Sequence, residues 1–224
     1  MNKKNSIDAR TIAVLAMLSA IASVLMLVVR INFMPAAPFL IYDPKDIIIV
    51  IGGFLYGPLA VVPMALIVAF VEMNTVSADG WVGFLMGTIS SCAFACPAAF
   101  IYKRMHTLRG AVIGLVAGWL FVTAVMVLWN YIITPVYRGF PRAVIVPMLP
   151  TVFMPFNLIK YGLGAATTML IYKPLSVALR KMNILKKTER KTSVKEYLVT
   201  GVILAVCLAV VPCIVLLLVL RGII

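Results

Sequence analysis

The chain has 224 residues, of which 63% are hydrophobic and only 12% are charged, and its mean hydropathy is +1.10. A water-soluble domain of this length needs many more charges to cover its surface, so the composition excludes an ordinary soluble protein. The net charge of +13 would suggest nucleic-acid binding in a soluble protein. Here, however, the basic residues lie between apolar runs, as in the cytoplasmic loops of membrane proteins.

Six apolar runs follow one another and predict membrane-spanning helices. Most of them contain the roughly 20 residues that a helix needs to cross about 30 Å of hydrocarbon. The fifth run is interrupted only by Lys160. The runs cover residues 12–29, 47–71, 80–102, 110–137, 143–172 and 197–220. The chain is therefore expected to be a polytopic α-helical membrane protein that resides in the lipid bilayer.

The first run follows three basic residues and contains "SAIAS", which loosely imitates a signal-peptide cleavage site. Because the run continues to Val29, we expect a retained first helix rather than a cleaved signal peptide. Four alanines lie on nearby faces of this helix, and small residues four apart let another helix approach closely. They form a candidate partner surface, although alanine is common in any membrane helix: Ala9, Ala13, Ala16 and Ala20.

The second run, 47–71, contains "IGGFLYGPLA" at its middle and allows two interpretations. It is either one long helix or two short helices, 44–56 and 58–73, joined by a tight turn at Gly57 and Pro58. Proline suits the first turn of a new helix, where its missing N–H costs nothing. An excess of Lys and Arg on the cytoplasmic side fits the hairpin with a cytoplasmic N-terminus, but it also fits one helix with an external N-terminus. Both models place the C-terminus outside.

Sequence motifs for catalysis or metal binding are absent. The cysteines all lie within apolar runs, and no His, Asp or Glu lies close by in sequence to complete a metal site, so we predict small packing residues. They are Cys92, Cys96, Cys207 and Cys213. The chain has no acids paired at catalytic spacing, no Ser-His-Asp set and no G-x-x-x-x-G-K phosphate loop. It is predicted not to be an enzyme and to need no cofactor or metal.

Four stretches occur together in a combination that is typical of one family. They are the alanine-rich first helix, "FLIYDPKDIIIVIGGFLYGPLA" at 39–60, "WNYIITPVY" at 129–137 and "PFNLIK" at 155–160. Together with the hydropathy pattern they cover roughly residues 9–180. The chain thereby resembles the S components, or substrate-binding subunits, of energy-coupling factor (ECF) vitamin transporters, and most of all the riboflavin-specific members.

The resemblance implies a six-helix substrate-binding domain over residues 1–180, with a cytoplasmic N-terminus and the hairpin described above. It places helices four, five and six at about 81–103, 109–134 and 151–178. It also implies a substrate pocket that opens outward and is capped by the loop after helix one. The chain departs from the family beyond that domain, with a basic cytoplasmic linker at 181–196 and a further helix in 197–224. The predicted fold class is therefore an all-α integral membrane protein, a six-helix S-component bundle with an additional C-terminal transmembrane helix.

Lys160 is an ionisable residue inside an apolar run, and such residues usually face a cavity or a partner. Pro155 favours the first turn of a helix entered from outside, which puts Lys160 one to two turns below the outer surface. Asn157 lies three residues earlier and shares its face, with Tyr161 nearby. We predict a pocket role for this face. The alternative is that Lys160 extends to the outer headgroups.

Aromatic residues crowd the same outer level, and an interfacial belt explains part of this crowding. The isoalloxazine ring of riboflavin would stack on the others, and its edge of alternating donors and acceptors suits Asn side chains. Asp43 and Asp46 either cap the second helix or have a role in the lid or in pairing Lys160, whereas Glu72 and Asp79 are predicted to be solvated. The predicted substrate site comprises Asn157, Lys160, Asn130, Tyr42, Asp43, Trp129, Tyr131 and Phe156.

The predicted function is the high-affinity riboflavin-binding subunit of an ECF transporter in the bacterial cell membrane, with FMN as a further candidate ligand. The resemblance implies a transmembrane coupling subunit that contacts the alanine surface, and two ATPase subunits that supply the energy. No nucleic-acid partner is expected. Two alternatives remain open: an S component for another small vitamin, and a membrane scaffold or assembly protein. A secondary carrier would normally show repeats with paired polar sites near the midplane, and the sequence shows none.

Overall fold

The computed structural model describes residues 8–34 and 37–181, apart from the side chains at 173 and 175–181, and isolated positions between 202 and 218. In the described part, α-helices α1 to α8 follow in order, and a π-helical turn, Leu149–Phe153, joins α7 to α8. The helices are α1 Ala9–Val28, α2 Lys45–Tyr56, α3 Pro58–Thr75, α4 Gly80–Met105, α5 Leu108–Ile132, α6 Thr134–Arg138, α7 Arg142–Met148 and α8 Met154–Lys181. Apart from the isolated positions between 202 and 218, the predicted linker at 181–196 and the predicted extra helix at 197–220 lie outside the described residues. Both therefore stay predictions.

The all-α fold class is confirmed over the described residues, which contain one isolated β-bridge and no strand. In this part of the chain, five helical segments are long and apolar enough to cross a membrane. They are α1, α3, α4, α5 and the segment Arg142–Tyr172. Helix α2 has 12 residues, which correspond to about 18 Å, so it is shorter than the hydrocarbon core.

The second apolar run is a hairpin, and the alternative of one continuous helix is wrong. Gly57 separates α2 from α3 with a φ of 97° and a ψ of 173°, a conformation that is essentially restricted to glycine. Pro58 follows at the first position of α3, where its fixed φ favours a new helix. The break is therefore a local consequence of the Gly-Pro sequence.

Helices α4 and α5 form an antiparallel pair joined by a tight turn. His106 ends α4 in the left-handed conformation, and the Thr107 hydroxyl begins α5 by accepting from the Gly110 N–H at 3.0 Å. The backbones then approach closely, because a Cβ at Gly118 would lie 2.2 Å from the carbonyl oxygen of Phe94. Helix α5 of this pair packs against α8, and both helices contribute residues to the wall of the site described below.

The predicted fifth and sixth helices differ from the structure at their outer ends. The fifth ends at Ile132, and two short helices, α6 and α7, occupy the connection to α8. Prolines interrupt the helices of this connection at several points, because proline has no backbone N–H to donate to an intrahelical hydrogen bond. Pro150 lies in the π-helical turn, where the ladder changes register before α8 begins.

The segment between α1 and α2 folds over the end of the bundle that is predicted to face outward; we call its described residues, 29–34 and 37–44, the cap loop. Ile31 and Tyr42 exchange backbone hydrogen bonds of 3.0 and 2.9 Å, which close its base. Apolar residues of the loop pack against α7, the π-helical turn and the start of α8 in a small separate core. Within it, Phe33 stacks on Phe156 with ring centroids 5.4 Å apart. The loop is thus anchored to the segment that carries Asn157 and Lys160.

Candidate ligand-binding site

A cavity of about 400 Å³ lies beneath the cap loop at the outer end of the bundle. Residues of the cap loop, of the start of α2, of α3 to α6 with the loop between α3 and α4, and of α8 line it. Seven of the lining residues are charged, which is a marked concentration in a chain with so few charges. They are Arg30, Asp43, Lys45, Glu72, Asp79, Arg138 and Lys160.

Lys160 reaches into a buried ion pair rather than toward the headgroups. Its Nζ donates to Oδ2 of Asp43 at 2.9 Å, and the two side chains are 11% and 5% exposed. Asp43 lies in the cap loop, so this pair joins the cap to α8. Burial by itself would raise the pKa of the Asp43 carboxyl, but the charges of Lys160 and Lys45 and the hydrogen bonds from both residues lower that pKa to about 2. The carboxylate is therefore ionised at neutral pH.

A second lysine, Lys45 at the start of α2, extends this network. Its Nζ lies 3.6 Å from Oδ2 of Asp43 and forms an ion pair with Glu72 of α3. Asp46, one residue further along, accepts a 2.5 Å hydrogen bond from the Ser91 hydroxyl of α4. The prediction that Glu72 is solvated is therefore wrong, because the hairpin brings α3 against the start of α2.

Asn130 and Asn157 both line the cavity and are almost fully buried. Each donates its amide N–H to a carbonyl one turn earlier in its own helix, at 2.7 Å. The side-chain oxygen of Asn130 accepts from the Thr134 hydroxyl at 2.8 Å. The side-chain oxygen of Asn157, in contrast, has no hydrogen bond to any residue in the described part. Asn157 thus offers an acceptor, together with its second amide hydrogen, to a ligand.

The eight predicted substrate-site residues divide into two groups. Five of them line one cavity: Asn130, Asn157, Lys160, Asp43 and Phe156. The other three lie outside its lining. Tyr42 is held in the base of the cap loop, Trp129 is half-buried on α5, and Tyr131 is exposed beneath the guanidinium of Arg142.

Arg138 and Asp79 also line the cavity, although neither belongs to the predicted substrate site. Nη2 of Arg138 donates to Oδ1 of Asp79 at 2.5 Å, and the guanidinium carbon lies 4.7 Å from the ring centroid of Phe39. The prediction that Asp79 is solvated is therefore wrong. No local signal marks these two residues, because 59 positions separate them in the chain.

The four alanines of the candidate partner surface are all exposed on α1. The opposite side of the helix is buried against the bundle through Val14, Leu18, Ala22 and Met26. Among the residues that the structure describes, none covers the alanine face. Among the described residues, no three His, Cys, Asp or Glu side chains come together as a group that could hold a metal ion.

Three comparisons with known proteins agree with one another. The family model described as "ECF transporter, substrate-specific component" matches residues 10–176. The riboflavin transporter FmnP of Bacillus subtilis (strain 168) is 32% identical over 162 residues, covering 67% of this chain and 84% of that protein. The riboflavin transporter RibU of Staphylococcus aureus (strain TCH60) is 28% identical over 187 residues, or 80% and 97% of the two chains. A solved structure, described as the S component of a bacterial ECF transporter, is similar with a TM-score of 0.65 at 26% identity, over 76% of this chain and 98% of that one.

Proposed function

Because the chain belongs to the substrate-specific components of ECF transporters, we propose that it is the riboflavin-binding subunit of such a transporter. Family membership makes it a multi-pass bacterial membrane transport protein and not an enzyme. The related proteins FmnP and RibU are named riboflavin transporters. Riboflavin is therefore the ligand against which the chemistry of the cavity is best compared.

The observation that carries the proposal is the arrangement of Asn157 and Lys160 on one wall of the cavity. The free side-chain oxygen and second amide hydrogen of Asn157 complement the donors and acceptors on the edge of an isoalloxazine ring. The ammonium of Lys160 donates to Asp43 at 2.9 Å and has further hydrogens for a ring carbonyl. Phe156 supplies an apolar face for stacking. The cavity of about 400 Å³ lies within the roughly 300–1,000 Å³ of small-molecule sites.

The proposal extends to FMN and to the partner subunits. Arg30 and Arg138 line the cavity, and arginine is well suited to phosphate. The sequence has no phosphate-binding loop for ATP, so two ATPase subunits would supply the energy and a transmembrane coupling subunit would connect them to this chain. The exposed alanine face of α1 supports a helix-to-helix contact with the coupling subunit.

Ligand binding by the purified full-length protein in detergent tests the proposal. We expect riboflavin to be bound with saturation at one site, measured by quenching of flavin fluorescence and by calorimetry. Thiamine and biotin serve as competing vitamins and should not displace it. If one of them binds in place of riboflavin, the family assignment stands and the ligand is wrong. If the folded protein binds no vitamin, the scaffold alternative is favoured.

A further inference from the structure

Asp46 is a buried carboxyl that the ion pairs of the polar network do not use. It lies in the first turn of α2 and is 3% exposed. Its Oδ1 accepts the 2.5 Å hydrogen bond from the Ser91 hydroxyl, but its Oδ2 is buried and has no hydrogen-bond partner among the residues that the structure describes. Asp46 also forms no ion pair within this part of the chain. An ionised carboxylate would therefore be held there by a single hydrogen bond.

The two lysines near Asp46 are already matched by other acids. Lys160 pairs with Asp43, whereas Lys45 pairs with Glu72 and lies 3.6 Å from Asp43. Two positive and two negative charges thus balance without Asp46. A third carboxylate would leave the buried network with a net negative charge, and a proton on Asp46 makes the network neutral.

The elements packed around Asp46 supply no further positive charge to it. Helix α1 packs against α2, but its one charged residue, Arg10, lies in the first turn of α1, away from Asp46. Arg30 lines the cavity and forms no ion pair with Asp46. The titratable groups around Asp46 are Asp43 of the cap loop, Lys45 of α2, Glu72 of α3, Cys92 of α4, and Lys160 and Tyr161 of α8.

Burial decides between the two forms of the Asp46 carboxyl. An unpaired ion is costly to remove from water, and a buried carboxyl avoids that cost by taking up a proton. The proton would sit on Oδ2, so that Oδ1 keeps its hydrogen bond from Ser91. A neutral hydroxyl without a partner costs less than a charged oxygen without one. The geometry therefore favours the protonated carboxyl.

The cavity connects this proton to ligand binding. The four ionisable residues of the two pairs line the cavity, whereas Asp46 does not; they are Asp43, Lys45, Glu72 and Lys160. A ligand that fills the cavity displaces water from these groups, so any net charge on the network becomes less well solvated. The ligand-bound protein therefore favours the neutral network. By linkage, the proton must strengthen ligand binding by the same factor.

We propose that Asp46 is a proton-binding site and that riboflavin binding favours its protonated carboxyl. The choice of ligand rests on the proposed function, but the proton site does not. The proton is taken from water and returned to water, and no bond of the ligand changes. As the pH rises, the carboxyl loses its proton, the network becomes negative, and riboflavin affinity falls. Where the free protein has lost the proton and the complex retains it, binding takes up one proton.

Infrared spectroscopy of the full-length protein in detergent tests the proton site without any ligand. At neutral pH the unmodified protein should show the C=O band of a protonated carboxyl. Asp46→Asn replaces that carboxyl by a neutral amide of the same shape, and it should remove the band. Asp43→Asn is the matched control, because Asp43 is ionised in its ion pairs, and it should leave the band in place.

Thermal unfolding of the same two variants gives an independent readout. Asp46→Asn should keep the Tm within about 2 °C of the unmodified protein, since an amide replaces a neutral acid. Asp43→Asn should lower the Tm by about 5 °C or more, because it leaves a buried lysine without its partner. If Asp46 were an anion that the fold requires, the two substitutions would be similarly destabilising.

Riboflavin binding measured as a function of pH tests the link to the ligand. From acidic to alkaline pH, the Kd of the unmodified protein should rise about 5-fold or more, as is typical of coupling between two sites. The Kd of Asp46→Asn should change by less than about twofold, and titration of the ligand itself is common to both proteins. Calorimetry in two buffers of different ionisation enthalpy should show proton uptake on binding to the unmodified protein only.

Each result bears on the inference separately from the proposed function. Absence of the protonated-carboxyl band from the unmodified protein would overturn the proton site, even if riboflavin binds. Equal pH dependence of the Kd in both proteins would overturn the link to the ligand. Failure of the unmodified protein to bind riboflavin would instead overturn the proposed function, and the band would still decide the proton site. If Asp46→Asn does not fold, the band and the proton uptake of the unmodified protein decide.

Discussion

Asn157 is the residue whose free groups most directly suggest a ligand contact. Its amide nitrogen donates a hydrogen bond to the Phe153 carbonyl at 2.7 Å. Its side-chain oxygen accepts no hydrogen bond from any residue in the described part of the chain. Asn157→Ala should weaken riboflavin binding roughly 5- to 150-fold, as expected for loss of one or two hydrogen bonds to a buried partner. Flavin-fluorescence quenching measures the change.

The chain offers a matched control for this prediction. Asn74 on α3 makes the same intrahelical bond, to the Phe70 carbonyl at 2.7 Å, but it is exposed and outside the cavity. Asn74→Ala should therefore leave riboflavin affinity unchanged. Equal affinities of the two variants would remove Asn157 from the site.

Lys160 is expected to contribute both to binding and to stability. Lys160→Met deletes the charge and leaves Asp43 with only Lys45, at 3.6 Å. Breaking a buried ion pair from one side lowers stability by up to about 3–5 kcal/mol, because the remaining charge stays desolvated. Adding Asp43→Asn should restore much of the thermal stability in detergent without restoring riboflavin affinity. Recovery of both in the double variant would show that Lys160 serves only to neutralise Asp43.

At the scale of elements, the α4–α5 contact depends on one close backbone approach. A Cβ added at Gly118 would lie 2.2 Å from the Phe94 carbonyl oxygen, so the helices must separate. Gly118→Ala should lower stability by about 1–3 kcal/mol or more, measured by thermal unfolding in detergent.

Gly164 on α8 is the control for this change, because its added Cβ would only touch the Phe94 ring at 3.8 Å. Gly164→Ala should be neutral or should stabilise the helix by up to about 1 kcal/mol. If both variants were equally stable, the glycine contact would not be the reason for the close packing.

The alanine face of α1 is the element predicted to meet the coupling subunit. Replacing Ala16 and Ala20 by Leu adds bulk to an exposed surface and should prevent the close helix approach. Transport and co-purification of the complex should be lost, whereas riboflavin binding by the isolated subunit should persist. Ala124 is also exposed, on α5, so Ala124→Leu is a control that should preserve the complex. Loss of riboflavin binding with an intact complex would contradict the assignment.

At the scale of the whole molecule, the hairpin fixes the predicted orientation. Since α2 and α3 form separate helices, the N-terminus and the α4–α5 turn are predicted to lie on the same, cytoplasmic side, where most Lys and Arg then gather. Single cysteines at Ser6 and Thr107, in a background without the four native cysteines, should both resist a membrane-impermeant thiol reagent in intact cells. Labelling of Ser6 but not Thr107 would place the two segments on opposite sides.

The sequence by itself determined what depends on short-range physics. Apolar run length predicted the spans, and the Gly57–Pro58 pair marked the hairpin as one of two interpretations, which the backbone conformation of Gly57 then decided. Helical periodicity placed Asn157 and Lys160 on one face, and the structure brings both to one cavity. Each of these inferences needs only residues within a turn or two of each other.

The tertiary structure decided which distant residues meet. Sequence left open whether Asp43 and Asp46 cap the second helix or serve the lid or pair with Lys160, and only the folded cap loop brings Asp43 to Lys160 across 117 positions. Glu72 and Asp79, predicted to be solvated, pair with Lys45 and Arg138 because the hairpin and the outer loops converge over the cavity. A buried charge needs a partner whatever its position in the chain. Sequence reveals that need, but which residue meets it depends on how the helices pack.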